Sequence, residues 1–334
     1  MAQTSAKNSF VVAYIDSLDP KAAQVLSRRP NIEQVPFPHL YNRDKFQTVL
    51  RDNPHIHAVI LGAQPVSTPE LELMSDLRVV ARLGVGFDAI DIPALAPRRI
   101  PLMVTGIANS PSVAEQAFHM MFTLIKRSRD QDRVVRDGRW AERMADMPGD
   151  IFEKTLLVIG FGRIGSRVVK RALAMEMNVL VYDPYVAAPQ ITAAGATPVS
   201  KLDDALPLAD VVSIHCPRSP ETLGLIDAKR IGMMRPTAVL INTARGGLVD
   251  ETALLDALRH KRIAGAGLDV LEKEPPPTDH PLFAMANVVF APHMAGVTVG
   301  AVERMSMAAV ENILSVFDGN IRRENVINRE VLAG

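Results

Sequence analysis

Three polar residues in the second half of the chain, Arg245, Glu274 and His293, stand in short loops after apolar runs that read as strands. Arg245 follows Ala238 to Asn242 in Asn-Thr-Ala-Arg-Gly-Gly, a turn whose glycines leave the guanidinium uncovered. A planar fork there grips a carboxylate through two bonds and lends positive charge to a neighbouring carbonyl. His293 lies in Ala-Pro-His-Met-Ala-Gly, after the run Val288 to Phe290. A ketone that accepts a hydride becomes an alkoxide in need of a proton, and imidazole, with an ordinary pKa of about 6.5, exchanges protons near neutrality. Glu274, in Leu-Glu-Lys-Glu-Pro-Pro-Pro, is a carboxylate able to orient that imidazole and raise its pKa. Taken singly, each has a plainer reading: a surface salt bridge, a structural histidine, an ordinary loop residue before prolines.

Chemistry of this kind needs a hydride donor, and the stretch Thr155-Leu-Leu-Val-Ile-Gly-Phe-Gly-Arg-Ile-Gly-Ser166 supplies a place for one. An apolar strand, Leu156 to Ile159, enters a glycine-rich turn and then a helical pattern from Arg163 to Met175. Gly160 allows the tight bend, Gly162 lets backbone approach a pyrophosphate, and Gly165 lets the helix pack on the strand. The helix N-terminus offers N–H groups and a positive dipole end to phosphates. A second strand, Asn178 to Tyr182, ends in Asp183, about 20 residues past the glycines, where a carboxylate accepts from a ribose diol. That favours NAD over NADP, whose extra phosphate the carboxylate repels. A purely structural glycine turn is the alternative; strand, helix and Asp183 together favour the dinucleotide.

At 334 residues the chain suits about two domains. Thirty-seven basic residues balance 37 acidic ones, so electrostatics gives no case for nucleic acid or a membrane surface and a small-molecule partner is expected. The lone Cys216 excludes an internal disulfide and fits a reducing, cytoplasmic compartment. The N-terminal stretch Met1 to Ser9 is polar, unlike a secretion signal, and no apolar run approaches the roughly 18 residues that span a bilayer. No His, Cys and carboxylate cluster has metal-site spacing.

Ahead of Gly160, strands are expected at Phe10 to Tyr14, Ala58 to Leu61, Arg78 to Ala81 and Leu102 to Val104, with helices at Lys21 to Arg28 and Glu70 to Ser75. Alternation of this kind implies a parallel sheet covered on both faces. A long linking helix is expected over Ser112 to Arg127. The mixed-charge segment Asp130 to Asp150, with Trp140 and two Met residues, reads equally as solvated loop or subunit interface. After Asp183, strands at Val211 to His215, Ala238 to Asn242, Gly267 to Val270 and Val288 to Phe290, with a helix at Glu251 to His260, complete a six- or seven-stranded doubly wound sheet. Val299 to Phe317 reads as a helix crossing back to the first domain. The expectation is an α/β chain of two doubly wound parallel-sheet domains, 1–107 with 297–334 and 108–296, with a ligand cleft between them.

The segments Ile241-Asn-Thr-Ala-Arg-Gly-Gly-Leu-Val-Asp250, Ala266-Gly-Leu-Asp-Val-Leu-Glu-Lys-Glu-Pro-Pro-Pro277 and Pro292-His-Met-Ala-Gly296 closely resemble the signatures of the D-isomer-specific 2-hydroxyacid dehydrogenases. The resemblance extends through Val158 to Pro184 and Ser219-Pro-Glu-Thr-Leu-Gly-Leu-Ile226, and more loosely through Leu83-Gly-Val-Gly-Phe-Asp88 and Ser112-Val-Ala-Glu-Gln116. It implies a central Rossmann NAD domain, a flavodoxin-like substrate domain split between the chain ends, a homodimer, and the roles argued above for Arg245, Glu274 and His293. It further implies that backbone N–H groups at Val85 and Gly86 join Arg245 and His293 in holding the substrate. Carried over by position, it places Arg163 and Ile164 on the pyrophosphate and Asp183 on the ribose. His215, Cys216, Pro217 and Thr222 fall beside the cofactor, and Thr243, Ala244 and Asp269 at its nicotinamide end. Cys216 has no base or metal partner in view, so a packed thiol is expected rather than a nucleophile.

Three contrasts with related branches sharpen the resemblance. Related formate dehydrogenases place a glutamine in the role of Glu274, so the glutamate speaks for hydroxyacids. Asp183-Pro-Tyr-Val resembles the phosphoglycerate dehydrogenase and hydroxypyruvate reductase-like branch, yet Gly62-Ala-Gln-Pro-Val-Ser67 lacks that branch's phosphate-binding arginine, and no regulatory domain is expected after the final helix. The expected function is reversible hydride transfer between NAD(H) and a small 2-keto or 2-hydroxy acid. The other readings are a dinucleotide-sensing protein like the corepressors of this fold, or oxidation of an unusual small anion.

Overall fold

The computed structural model describes residues 9–39 and 42–332; the polar N-terminal stretch read above lies almost wholly outside them. The chain divides into two compact units, one taking residues up to Asn109 together with those from Val297 onward, the other Ser110–Gly296.

The first unit is built on five parallel strands, β1 (Phe10–Ile15), β2 (Ile32–Phe37), β3 (Ile56–Leu61), β4 (Val79–Arg82) and β5 (Leu102–Met103), in the order β2-β1-β3-β4-β5. Its central strands are near-continuous apolar runs because helices cover both faces, and Ala58 to Leu61 are fully buried. The helix Val299–Phe317 is one of those covers, packing Ala309, Val310 and Ile313 against Val12, Ala58 and Val79. Two elements outside the sequence expectation of this unit have plain reasons. Strand β2 is the sheet's edge and contains Pro36, tolerable only where one side of the ladder is unpaired, and polar Glu33 and Gln34 hide its period. The helix Arg43–Asp52 is announced by Asn42, whose side chain accepts the Lys45 N–H at 3.0 Å, and buries only Phe46 and Leu50.

The second unit carries seven parallel strands, β6 (Thr155–Ile159), β7 (Asn178–Tyr182), β8 (Thr197–Pro198), β9 (Val211–Ile214), β10 (Val239–Asn242), β11 (Gly265–Leu268) and β12 (Val288–Phe290). Their order is β12-β11-β10-β9-β6-β7-β8, so the winding reverses between β6 and β9. In such sheets ligands bind outside the carboxyl ends of the strands at this reversal. Strand β11 lies two residues ahead of its expected place because Gly-Ala-Gly-Leu carries little apolar signal. Its Gly267 is obligatory, since a Cβ there would stand 2.7 Å from the Cβ of Met120. Met120 belongs to the helix Ser110–Ile125, which is thereby a packed layer of this unit rather than a bare link.

The segment Asp130 to Asp150 is not plain loop. Arg127, with a φ of 51°, starts the helix Ser128–Arg136, laced by Arg127–Asp130 and Arg136–Asp132 ion pairs, and a short 3-10 turn follows at Trp140–Glu142.

Candidate active site

The three glycines of the β6 turn divide the work as their spacing demands. Gly160 has a φ of +95°, and a Cβ there would meet the backbone N of Cys216 at 2.8 Å. A Cβ on Gly165 would stand 1.9 Å from the carbonyl of Gly160, so the helix Gly165–Ala174 reaches the strand only without one. Gly162 has open space around its missing Cβ, with no atom of the described residues within 4 Å. Among the described residues no side chain caps this helix, whose N-cap residue is Ile164. Arg163 stands exposed beside it. Asp183, just past β7, accepts the Phe161 N–H at 2.7 Å and the Tyr185 N–H at 2.8 Å, which pins its carboxylate at the turn. Each oxygen keeps a second lone pair for a hydroxyl.

His215, Cys216 and Pro217 lie immediately beyond β9, against Gly160. Burial pushes His215 down to about 3, so its ring is neutral; Ser213 Oγ lies 2.8 Å from Nε2. Burial likewise pushes the Cys216 thiol up to about 11, leaving a packed thiol and no nucleophile. Thr222 accepts the Ser219 N–H at 2.8 Å and donates to the Pro217 carbonyl at 2.7 Å, closing the loop that follows. Two buried polar atoms of this edge, His215 Nδ1 and Thr243 Oγ1, have no hydrogen-bond partner among the described residues. Buried polar atoms are seldom left unpaired. Together with the open approach at Gly162, they fit a bound dinucleotide.

At the carboxyl ends of β10, β11 and β12 three loops converge. Asn242, buried at the end of β10, folds the first: its Oδ1 accepts the Ala244 N–H at 3.0 Å and its Nδ2 donates to the Arg245 carbonyl at 2.9 Å. The Arg245 guanidinium donates from Nη1 to the Ala244 carbonyl at 2.7 Å. The second loop carries Glu274, whose Oε1 accepts the Leu271 N–H at 3.0 Å and whose Oε2 lies 2.6 Å from His293 Nδ1. The third carries His293 in a left-handed conformation with a φ of 56°. Asp269, only 2% exposed, shapes that turn: its carbonyl accepts the His293 N–H at 2.7 Å and its carboxylate those of Met294 and Ala295.

The hydrogen bond to Glu274 raises the pKa of His293 above its ordinary value, against burial and the Arg245 charge. At Glu274 burial favours the neutral acid, but the bonds from His293 and the Leu271 N–H outweigh it and hold the carboxyl below its usual range. Burial lifts Asp269 above that range, its N–H donors pulling the other way. Arg245 acts electrostatically on both Glu274 and His293, so the three residues singled out from the sequence form one cluster. With Nδ1 committed to Glu274, Nε2 is the nitrogen of His293 left to exchange a proton.

Val85 and Gly86 belong to the first unit, in the loop after β4. That loop is fixed by Arg82, which donates from Nε to the Gly86 carbonyl at 2.9 Å, and by Thr105, whose hydroxyl accepts the Gly84 N–H at 3.1 Å. Among the described residues no group of three or more His, Cys, Asp or Glu side chains is placed to hold a metal, and no helix is long and apolar enough to cross a membrane.

A doubly wound sheet with this glycine turn, and with arginine, glutamate and histidine gathered on its carboxyl-end loops, defines a dinucleotide-binding α/β protein. Residues 118–295 match the family model described as D-isomer specific 2-hydroxyacid dehydrogenase, NAD binding domain. The chain is 38% identical over 274 residues to a D-3-phosphoglycerate dehydrogenase of Archaeoglobus fulgidus, covering 82% of this chain and 52% of that one. It is 36% identical over 279 residues to a glyoxylate reductase of Korarchaeum cryptofilum, covering 82% and 83%. The crystal structure of a glyoxylate reductase from Paecilomyes thermophila superposes with a TM-score of 0.84 at 25% identity, over 97% of this chain and all of that one. The chain belongs to the D-isomer-specific 2-hydroxyacid dehydrogenase family, and its second unit is the NAD-binding domain. It spans about half the length of the phosphoglycerate dehydrogenase. These likenesses give no support to the sensor or unusual-anion readings.

Proposed function

We propose that the protein is an NAD-dependent D-2-hydroxyacid dehydrogenase that reduces a small, unphosphorylated 2-keto acid. The observation that carries this is the 2.6 Å pair of His293 and Glu274, set under the charge of Arg245 at the carboxyl edge of the dinucleotide sheet. Bound NADH supplies the hydride to the carbonyl carbon. His293 gives the proton of Nε2 to the developing alkoxide, Glu274 stabilises the imidazolium before transfer, and Arg245 grips the carboxylate and polarises the carbonyl. The backbone N–H groups at Val85 and Gly86 take the acid's carboxylate. Arg163 and Ile164 carry the pyrophosphate, Asp183 the ribose diol, and Thr243, Ala244 and Asp269 line the nicotinamide end. His215, Cys216, Pro217 and Thr222 lie beside the cofactor.

The loop after β3 speaks against a phosphate on the substrate. None of Gly62 to Ser67 is cationic, and Gln64, only 1% exposed, spends its amide on the Gly62 N–H at 2.9 Å and the His39 carbonyl at 3.0 Å. The test is NADH oxidation with glyoxylate, hydroxypyruvate, phosphohydroxypyruvate, pyruvate and bulkier keto acids, repeated with NADPH. Glyoxylate or hydroxypyruvate should turn over fastest and NADH should be preferred. Phosphohydroxypyruvate as the best substrate would overturn the unphosphorylated assignment, and silence across the panel would overturn the activity.

The protein is further proposed to act in the cytoplasm as a homodimer. The region 128–152 exposes Val135, Trp140, Met144, Met147 and Phe152, each more than half accessible, and a set of that size asks for a partner surface. A second copy is the partner inferred. Sedimentation should give twice the chain mass for the wild type and the single-chain mass for a Trp140→Glu, Met147→Glu variant; a monomeric wild type would refute the dimer.

A further inference from the structure

The loop that carries Glu274 has little backbone means of holding its shape, because Pro275, Pro276 and Pro277 have no N–H to donate. It is tied instead by a carboxylate outside the cluster. Glu251 opens the helix Glu251–Arg259, directly downstream of the Arg245 loop. Its Oε1 accepts the backbone N–H of Glu272 at 2.6 Å, and its Oε2 meets Nε2 of His280 at 3.1 Å. The Nδ1 atom of His280 accepts the Leu282 N–H, so Nε2 carries the proton that goes to Glu251. The two side chains are 14% and 15% exposed, where an unpaired carboxylate would be costly. One carboxylate thus grips the loop on both sides of Glu274. Beside it, a Cβ on Gly246 would stand 1.9 Å from the Leu271 carbonyl, so the Arg245 and Glu274 loops lie in backbone contact.

We propose that Glu251, with His280, is a positioning residue for proton transfer: it keys the Glu274 loop onto the Arg245 loop so that Glu274 meets Nδ1 of His293. This rests on the reading of His293 as proton donor. Both oxygens of Glu251 are engaged by the loop, so its influence on the reaction passes through Glu274. Of the charged groups that face His293, namely Glu274, Arg245 and Asp269, Glu274 is the one whose loop Glu251 holds at both ends.

The experiment compares Glu251→Gln, His280→Ala and His280→Gln with Glu274→Gln and His293→Ala, reading kcat for keto-acid reduction across pH, NADH affinity by fluorescence, and Tm. Glu251→Gln sets an amide donor against the His280 N–H and opens one anchor. Its kcat should fall about 10- to 100-fold, since a misplacement of ~1 Å costs on the order of 10²-fold. The alkaline fall of its profile should move to lower pH, in the direction Glu274→Gln moves it, with NADH affinity unchanged. His280→Gln, whose terminal amide reaches the same carboxylate, should keep most of the turnover that His280→Ala loses. A wild-type kcat and an unmoved profile in Glu251→Gln or His280→Ala, whatever the Tm, would overturn the proposal. Should Glu251→Gln fail to fold, the two His280 variants decide. Wild-type turnover in His293→Ala would instead overturn the reading of the site.

Discussion

Replacing His293 with alanine is expected to lower kcat for keto-acid reduction by roughly 10²- to 10⁴-fold, the range of a lost general acid, while NADH affinity stays near the wild-type value. No other group of the cluster can take its place. Glu274 lies on the Nδ1 side of the ring, its Oε1 held by the Leu271 N–H, and the Asp269 carboxylate is occupied by the N–H groups of Met294 and Ala295. Wild-type turnover by the variant, followed as NADH oxidation, would remove His293 from the mechanism. The pH dependence follows from the direction of the shift. Reduction needs His293 protonated, and its pKa is raised by Glu274, so kcat/KM should be flat below that pKa and decline above it, at a pH higher than an ordinary histidine would give. Oxidation needs the neutral ring and should rise over the same interval. Glu274→Gln keeps the shape of the side chain but not its charge, and should bring the decline back toward the ordinary histidine range. An unmoved profile in that variant would mean that Glu274 does not set the protonation of His293.

The parts of this arrangement that could be read from the sequence are those governed by a local rule. A strand buried on both faces must be apolar throughout, so β3, β6, β9 and β10 announce themselves, and the helix Val299–Phe317 shows its period over its whole length. The glycines at 160, 162 and 165 are legible because each answers a separate steric demand. Arg245, Glu274 and His293 are legible as residue types at strand ends, and the family likeness then groups them. What escaped are residues whose function lies between loops. Asp269 reads as a cofactor neighbour, but nothing in the sequence shows that its carboxylate also shapes the turn that presents His293. Asn242 folds the Arg245 turn; an asparagine ending a strand before Thr-Ala-Arg-Gly was the available signal, since its side chain commonly caps its own backbone two residues on. Glu251 and His280 left no signal at all, because they meet across 29 positions of chain and loops have no period from which such a pairing follows.

Arg245→Lys is expected to lower kcat/KM for the keto acid by about 10- to 150-fold, the loss of one charged hydrogen bond worth roughly 1.5–3 kcal/mol, with most of it appearing as a higher KM. Lysine keeps the positive charge, so a role that was only electrostatic would survive the change. What it cannot keep is the planar fork. The Arg245 guanidinium donates from Nη1 to the Ala244 carbonyl, which orients its plane, and its backbone is held by the turn that Asn242 folds. A lysine ammonium, on a flexible stem, would carry the charge without that orientation. Arg245→Gln should therefore be worse than Arg245→Lys in kcat as well as KM, because it also removes the positive charge that polarises the carbonyl and acts on Glu274 and His293. Measured against NADH affinity, which neither substitution should disturb, the pair separates grip from charge: equal damage in both variants would assign Arg245 to the fork alone, and a wild-type KM in Arg245→Lys would take the substrate carboxylate away from it.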